Sequence, residues 1–217
     1  MKLKKIGIAI FATLVFTLSN LSFAQGPQYR VTVTNITKNQ IFTPIIGVGH
    51  TSAVSLFTLG QQASEELAAI AESGDIAPMQ ALLSEVSNVS TSATEGLLMP
   101  GSSAEFIVTG NYNDMRLSLA AMLLPTNDTF VAVNSLRVPY FGSAVTFARA
   151  YDAGSETNDE LCASIPGPQC GGSPGSPEDD GEGFVHVSSG IHGIGDLKPS
   201  VYDWRDAVAR VEVQIMY

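Results

Sequence analysis

Acidic side chains follow two apolar segments whose lengths and composition suit β-strands. Asp128 comes shortly after the apolar run 117–124, while Asp152 and Glu156 follow the segment 144–151. If the ends of these two strands meet at one edge of a sheet, the three carboxylates converge on a hard cation. Calcium takes six to eight oxygen ligands in flexible geometry, which loops of this composition supply. The residues alone leave open the alternative that these are solvated acidic turns.

The run that starts at Asp152 does not follow the known calcium-loop pattern. It lacks the glycine and the terminal glutamate at the spacing of an EF-hand. Asn127 and Asp159 are further oxygen donors near the same two segments, although no motif supports them. The predicted metal ligands are therefore Asp128, Asp152 and Glu156, with calcium as the ion.

The common catalytic motifs are absent from the sequence. It contains no Gly-x-Ser-x-Gly elbow, no His-Glu-x-x-His, no Walker loop and no dinucleotide glycine fingerprint. The chain has 3 histidines, and His50, in a glycine-rich segment, is expected to be packed or to stabilise a turn. A hydrolase that uses the metal, or a serine nucleophile beside His186 or His192, is the alternative function. A nucleophile needs an adjacent base, and no motif supplies that pair.

The first 24 residues have the features of a secretory signal. Three lysines precede an apolar run at 6–18, and Ser22 and Ala24 provide small residues for a cut before Gln25. A membrane anchor is the alternative, but about 13 apolar residues fall short of the roughly 20 that span a bilayer. We therefore expect a secreted or periplasmic protein, with a signal peptide at 1–24 and one domain at 25–217. No later segment of the sequence is apolar and long enough to span a membrane.

Export to an oxidising compartment would favour the oxidised state of the two cysteines, Cys162 and Cys170. An isolated pair within one loop of an exported protein usually forms a disulfide, and 166–168 (Pro-Gly-Pro) can turn the chain back between them. The alternative is a zinc site with His186 and His192, although the spacing fits no common zinc pattern.

The composition restricts the classes of partner. The 217 residues include 11 basic and 21 acidic side chains, for a net charge of −10, and loss of Lys2, Lys4 and Lys5 with the signal changes it to −13. Nucleic-acid binding is excluded as an expectation because phosphate contacts need clustered Lys and Arg. Chains with 45% hydrophobic, 20 Gly and 11 Pro residues are typical of folded domains with many turns.

Short strands separated by turns dominate the rest of the sequence. Alternating or β-branched segments predict strands at 29–36, 45–50, 103–109, 117–124, 130–133, 144–151, 184–187 and 208–216. Helices are expected only in the middle: one over 65–72, capped by Ser64 and ended by Gly74, and a second short one capped by Asp75. The segment 164–183, with an acidic cluster at 178–182, is expected to be a long surface loop. This pattern predicts a mainly β fold, an antiparallel β-sandwich with one or two short helices inserted.

The order of these segments resembles the spondin domain of extracellular matrix proteins, which also occurs as single-domain secreted bacterial proteins. The resemblance extends over nearly all of 25–217 and is carried by the segments 29–35 (YRVTVTN), 55–61 (SLFTLGQ), 64–68 (SEELA), 122–128 (MLLPTND) and 151–160 (YDAGSETNDE).

The resemblance implies a C2-like β-sandwich with a calcium site at one edge. The family's ligands carry over onto Asp128, Asp152 and Glu156, and at the last of these positions the animal proteins resembled here have Asp. The resemblance and the residues together predict a secreted calcium-binding module without catalysis, which binds an extracellular protein, a glycan or a membrane surface or serves in cell adhesion. A purely structural role, in which calcium only rigidifies loops, is a further alternative.

Overall fold

Antiparallel strands make up most of the fold, as the alternating segments predict. The computed structural model describes residues 26–110, 114–173 and 181–217. The strands in these ranges are β1 (Gln28–Asn35), β2 (Ile41–Phe42), β3 (Ile46–His50), β4 (Ser90–Ala93), β5 (Ser103–Thr109), β6 (Arg116–Leu124), β7 (Thr129–Arg137), β8 (Ser143–Asp152), β9 (His186–Val187) and β10 (Ala209–Met216). The helices are α1 (Glu65–Ser73), α2 (Ala77–Ser84) and α3 (Pro199–Tyr202).

The strands form a sheet that bends back on itself. Its order is β4-β3-β6-β7-β8-β10-β1-β5, with β2 added beside β6 and β9 beside β8. The two end strands meet where Ser90 Oγ donates to the Thr109 carbonyl at 2.7 Å and accepts from the Thr109 amide at 2.9 Å. The predicted mainly β, antiparallel sandwich-like fold is therefore confirmed. The first and last strands also pair, from Gln28 opposite Met216 to Asn35 opposite Ala209.

Strand β6 lies at the centre of the packing, because both of its faces are covered. Leu117, Leu119, Ala121 and Leu123 face the core between the two layers of the sandwich. Ala120, on the opposite face, packs in a second cluster with residues of α1 and α2. Burial on both faces explains why this segment reads as a continuous apolar run rather than an alternating one.

The helices begin and end close to the predicted positions. The Ser64 hydroxyl accepts from the Leu67 amide at 3.2 Å at the start of α1, and Gly74, at φ +71°, ends it. Asp75 Oδ1 accepts from the Ala77 amide at 2.9 Å, but the cap residue of α2 is Ile76, one position later than predicted. The four-residue helix α3 was not predicted.

Strands β2 and β4 were not predicted, and the remaining differences concern element bounds. The structure extends β7 to Arg137 and reduces the predicted strand at 184–187 to the two residues of β9. The predicted signal segment 1–24, the cut before Gln25 and part of the acidic cluster lie outside the described residues. Within the described ranges, no helix is long and apolar enough to cross a membrane.

Candidate metal centre

Three neighbouring strands bring the candidate ligands to one edge of the sheet. Asp152 is the last residue of β8 and lies opposite Thr129, the first residue of β7. Asp128 directly precedes Thr129, and the Ala153 amide donates to the Asp128 carbonyl at 3.2 Å. On its other side, β8 pairs with β9, so that Asp152 lies opposite His186. The structure thus brings the loop after β6 and the loop after β8 together at the same edge.

Asp128 is a fully buried carboxylate with one oxygen satisfied and the other not. Its Oδ2 accepts from the backbone amides of Ser155 at 2.8 Å and Glu156 at 3.0 Å. Its buried Oδ1 accepts no hydrogen bond from the described residues. Burial, followed by the neighbouring charge of Asp152, raises the pKa of Asp128 to about 7. Without a cation, the site therefore favours the protonated form of Asp128 more than an exposed aspartate would, and a bound positive charge would favour the carboxylate.

Asp152 is also buried, with 3% of its surface exposed. Its Oδ1 accepts from the Gly154 amide at 2.9 Å, and its Oδ2 accepts from Asn158 Nδ2 at 3.0 Å. Burial raises the pKa of Asp152, although these hydrogen bonds and His186 oppose that shift. No lysine or arginine in the described ranges forms an ion pair with Asp128 or Asp152.

Glu156 is placed at the site through its backbone. The Glu156 amide is one of the two backbone amides that donate to Asp128 Oδ2, and Glu156 is fully buried. The three carboxylates predicted from the sequence thus belong to one connected group of loops, each shielded from bulk solvent.

Asn127 and Asp159, the possible helpers, bond to each other. Asn127 Nδ2 donates to Asp159 Oδ1 at 2.9 Å, and Asn127 Oδ1 accepts from the Glu160 amide at 3.2 Å. These bonds fix the loop after β6 to the end of the loop after β8. Both side chains therefore support the loops that carry the candidate ligands.

Glu182 and His186 approach the same site, and sequence reasoning did not place them there. Asp152, Glu182 and His186 each offer a ligand atom, and these atoms all lie within 4.8 Å of one another. His186 Nε2 lies 3.4 Å from Asp152 Oδ1 and 3.6 Å from Glu182 Oε2. One signal for this pair is present in the sequence: a glutamate lies four residues before a histidine that falls in the predicted strand 184–187.

A close backbone contact holds this third segment in place. The Gly183 amide donates to the Gly154 carbonyl at 2.9 Å. Gly154 has φ +62°, and a Cβ at this position would lie 2.4 Å from the Phe184 carbonyl oxygen. Only glycine accommodates both the conformation and the approach, so the Asp-Ala-Gly sequence at 152–154 is part of what brings His186 to Asp152.

The cysteines form the predicted disulfide. Cys162 and Cys170 are bonded to each other, and both pack beside a small buried cluster of Ile165, Ile191 and Leu197. The alternative of a zinc site using these cysteines with His186 and His192 is wrong, because bonded sulfurs are not available as thiolate ligands.

The serine–histidine alternative has little geometric support. Ser188 Oγ lies 3.2 Å from Thr129 Oγ1, and the exposed His192 is fixed through its backbone amide, which donates to Glu160. Across the described ranges, no hydrogen bond joins Ser188 or Ser189 to a histidine ring.

The donor set fits a hard divalent cation. Asp128 and Asp152 are buried carboxylates that form no ion pair with a lysine or arginine of the described residues, and Asp128 keeps one oxygen without a hydrogen bond, which favours a bound positive charge. Asp128, Asp152 and Glu156 are the carboxylates that would hold such an ion here, and Asp128 Oδ1 is a buried oxygen that accepts no hydrogen bond from the described residues.

Comparison with known proteins agrees with the fold. Residues 28–158, more than half of the chain, match the family described as Spondin_N, and the chain belongs to this spondin N-terminal domain family. The comparison with curated proteins gave no match.

Proposed function

We propose that this member of the spondin N-terminal family is an extracellular, non-catalytic binding module whose loop edge is organised by calcium. The observation that carries the proposal is the group of three carboxylates, Asp128, Asp152 and Glu156. Each is at most 3% exposed, and they share one edge of the sandwich. Carboxylates are rarely buried to this extent unless a cation or strong hydrogen bonds compensate for the lost hydration.

Two features support an extracellular location. A disulfide such as Cys162–Cys170 persists in oxidising compartments and is rare in the cytosol. The predicted signal at 1–24 leads to the same compartment, where millimolar calcium suits a site of moderate affinity. Its partner would be an extracellular protein, a glycan or a membrane surface.

Calcium suits this site better than magnesium. The candidate donors come from separate loops and include a longer glutamate, so their spacing is adaptable. Calcium accepts such irregular, high-coordination arrangements, whereas magnesium requires near-ideal octahedral geometry and retains its waters. Calcium bound here would connect the loop after β6 with the loop after β8 by neutralising the repulsion between Asp128 and Asp152.

Calorimetric titration of the chelator-treated protein tests the proposal. We expect the wild type to bind calcium more tightly than magnesium, and Asp152→Asn to bind calcium at least tenfold more weakly. Asp206→Asn is the matched control, because the Asp206 side chain is 83% exposed and its ion-pair partner is Arg149, which is not a candidate ligand. Wild-type protein that binds no calcium, or an Asp152→Asn variant that binds it like the control, would overturn the proposal.

A further inference from the structure

We propose that Asp152, Glu182 and His186 form a second metal position, suited to zinc, beside the proposed calcium ligands. It shares Asp152 with the calcium set but adds two side chains, His186 and Glu182, that the calcium proposal does not need. Glu182 lies near the end of the long segment that connects β8 to β9, well after Glu156 in the chain, and His186 is the first residue of β9.

The two distances from His186 to the carboxylates match those around a small tetrahedral ion, and all three candidate ligand atoms lie within 4.8 Å of one another. Zinc binds histidine nitrogen and carboxylate oxygen at about 2.0–2.2 Å, which places neighbouring tetrahedral ligands about 3.3–3.6 Å apart. His186 Nε2 lies 3.4 Å from Asp152 Oδ1 and 3.6 Å from Glu182 Oε2. Calcium, with ligands at 2.3–2.6 Å and a preference for oxygen, suits a set containing a histidine nitrogen less well.

The His186 ring is oriented as in metal-binding histidines. Its Nδ1 lies 3.1 Å from the Val187 carbonyl oxygen, so Nδ1–H donates there and leaves the lone pair of Nε2 directed at the two carboxylates. A ligating histidine typically donates its other ring N–H to a carbonyl or a carboxylate in this way. The cross-strand pairing of Asp152 with His186 fixes the two side chains next to each other.

A buried oxygen beside these residues provides independent support. Asp128 Oδ1 is buried and accepts no hydrogen bond from the described residues, while the buried His186 Nε2 has the two carboxylates at ion-pair distance. Asp128 is near enough to Asp152 and Glu182 for both charges to act on it. A cation at Asp152, Glu182 and His186 would compensate for this concentration of negative charge. Three protein ligands leave the fourth position of a tetrahedral ion for water or for a donor from a bound partner.

The competing explanation is an ion pair between a protonated His186 and the two carboxylates. An ion pair needs no metal, so the two explanations differ in what happens when zinc or cobalt is added. Cobalt is the useful probe because it occupies zinc sites and absorbs visible light intensely only in tetrahedral or similar low-coordination geometry.

The experiment titrates cobalt, and separately zinc, into chelator-treated protein held in saturating calcium. We expect a tetrahedral cobalt absorption band in the wild type that stoichiometric zinc removes. His186→Gln should lose the band and weaken zinc binding by more than about a hundredfold. Loss of a residue that only hydrogen-bonds to a metal ligand typically costs about 10–100-fold, so a larger loss indicates a direct ligand. Glu182→Gln should weaken zinc binding as well, whereas the control His192→Gln should match the wild type.

The outcomes separate this proposal from the proposed function. Calcium binding that persists in His186→Gln while the cobalt band disappears supports two positions with different ligands. A wild type without a cobalt band and without zinc binding would show that His186 forms only an ion pair. A band that survives in His186→Gln would equally overturn the assignment, whatever the result for calcium.

Discussion

At the scale of single residues, the hydrogen bonds of a buried polar side chain distinguish a candidate ion ligand from a structural residue. Asp128 is buried with an unsatisfied oxygen and a raised pKa, which marks a position whose charge the protein alone does not stabilise. His50 is buried but satisfied: Nδ1 lies 2.7 Å from the Thr51 carbonyl, and Nε2 lies 2.8 Å from Ser118 Oγ. The first arrangement favours a bound ion, and the second favours a structural histidine.

Burial lowers the pKa of His50. The Thr51 hydrogen bond opposes that shift, Arg116 adds to it, and Asp114 opposes it. Because the folded state favours the neutral ring, His50 contributes its full stability only above the ordinary histidine pKa of about 6.5. That contribution is lost progressively as the pH falls below this value, since the unfolded chain then gains a proton that the folded chain resists.

We therefore predict that the stability difference between wild type and His50→Gln shrinks as the pH falls from 7.5 to 5.5. The change should be at most about 1.4 kcal/mol per pH unit below 6.5. Urea unfolding at a series of pH values measures it, with the exposed His192→Gln as the control for loss of a histidine. A His50→Gln difference that stays constant over this range would contradict the prediction.

At the scale of elements, the disulfide loop is a local clamp beside the site. Its ends are eight residues apart in sequence, and the Cys162 amide donates to Asp196 Oδ2 at 2.9 Å. Ile165, inside the loop, is fully buried against Ile191 and Leu197. Cross-linking so short a loop stabilises a fold by about 2–3 kcal/mol, mainly by restricting the unfolded chain.

Replacing both cysteines with alanine should lower the free energy of unfolding by about 2–3 kcal/mol. Calcium affinity should remain near the wild-type value, because neither cysteine is a candidate ligand. Urea unfolding in saturating calcium gives the first quantity, and calorimetry gives the second. Unchanged stability would contradict the clamp, and lost calcium affinity in a folded variant would show that the clamp positions the ligands.

The elements also show which features of the fold sequence patterns reveal. Strands β1 and β10 alternate clearly because one face packs in the core, and β6 is a continuous apolar run because both faces do. Strand β4, read Ser-Thr-Ser-Ala, has no apolar period because it lies at the end of the sheet. The two-residue β9 is too short for any period, so the cross-strand partnership of His186 with Asp152 was not predictable from local sequence.

Sequence patterns likewise predict some residues of the candidate site and not others. Asp128, Asp152 and Glu156 follow strong strand signals, and the meeting of their loops follows from antiparallel pairing at one edge. Glu182 lies in a segment that composition alone marks as a loop. Its approach to Asp152 depends on the backbone contact between Gly154 and Gly183, which is a feature of the tertiary structure.

At the scale of the whole molecule, the protein is a sandwich that brings buried carboxylates together at one edge. The two layers pack on a continuous apolar core, so the fold does not depend on an ion to bury its hydrophobic residues. The loops after β6 and β8, in contrast, bring negative charges together. Calcium should therefore add stability to a protein that is already folded, rather than induce folding.

The most direct test is thermal unfolding of the wild type and Asp128→Asn, each in calcium and in chelator. Calcium at a hundredfold excess over Kd stabilises the folded wild type by about 2.7 kcal/mol, which raises Tm by about 5–10 °C for a domain of this size. Asp128→Asn removes a buried charge and keeps an oxygen for the Ser155 and Glu156 amides. In chelator it should melt at or above the wild-type temperature, and calcium should raise its Tm little. A wild type that melts at the same temperature in calcium and in chelator would contradict the account.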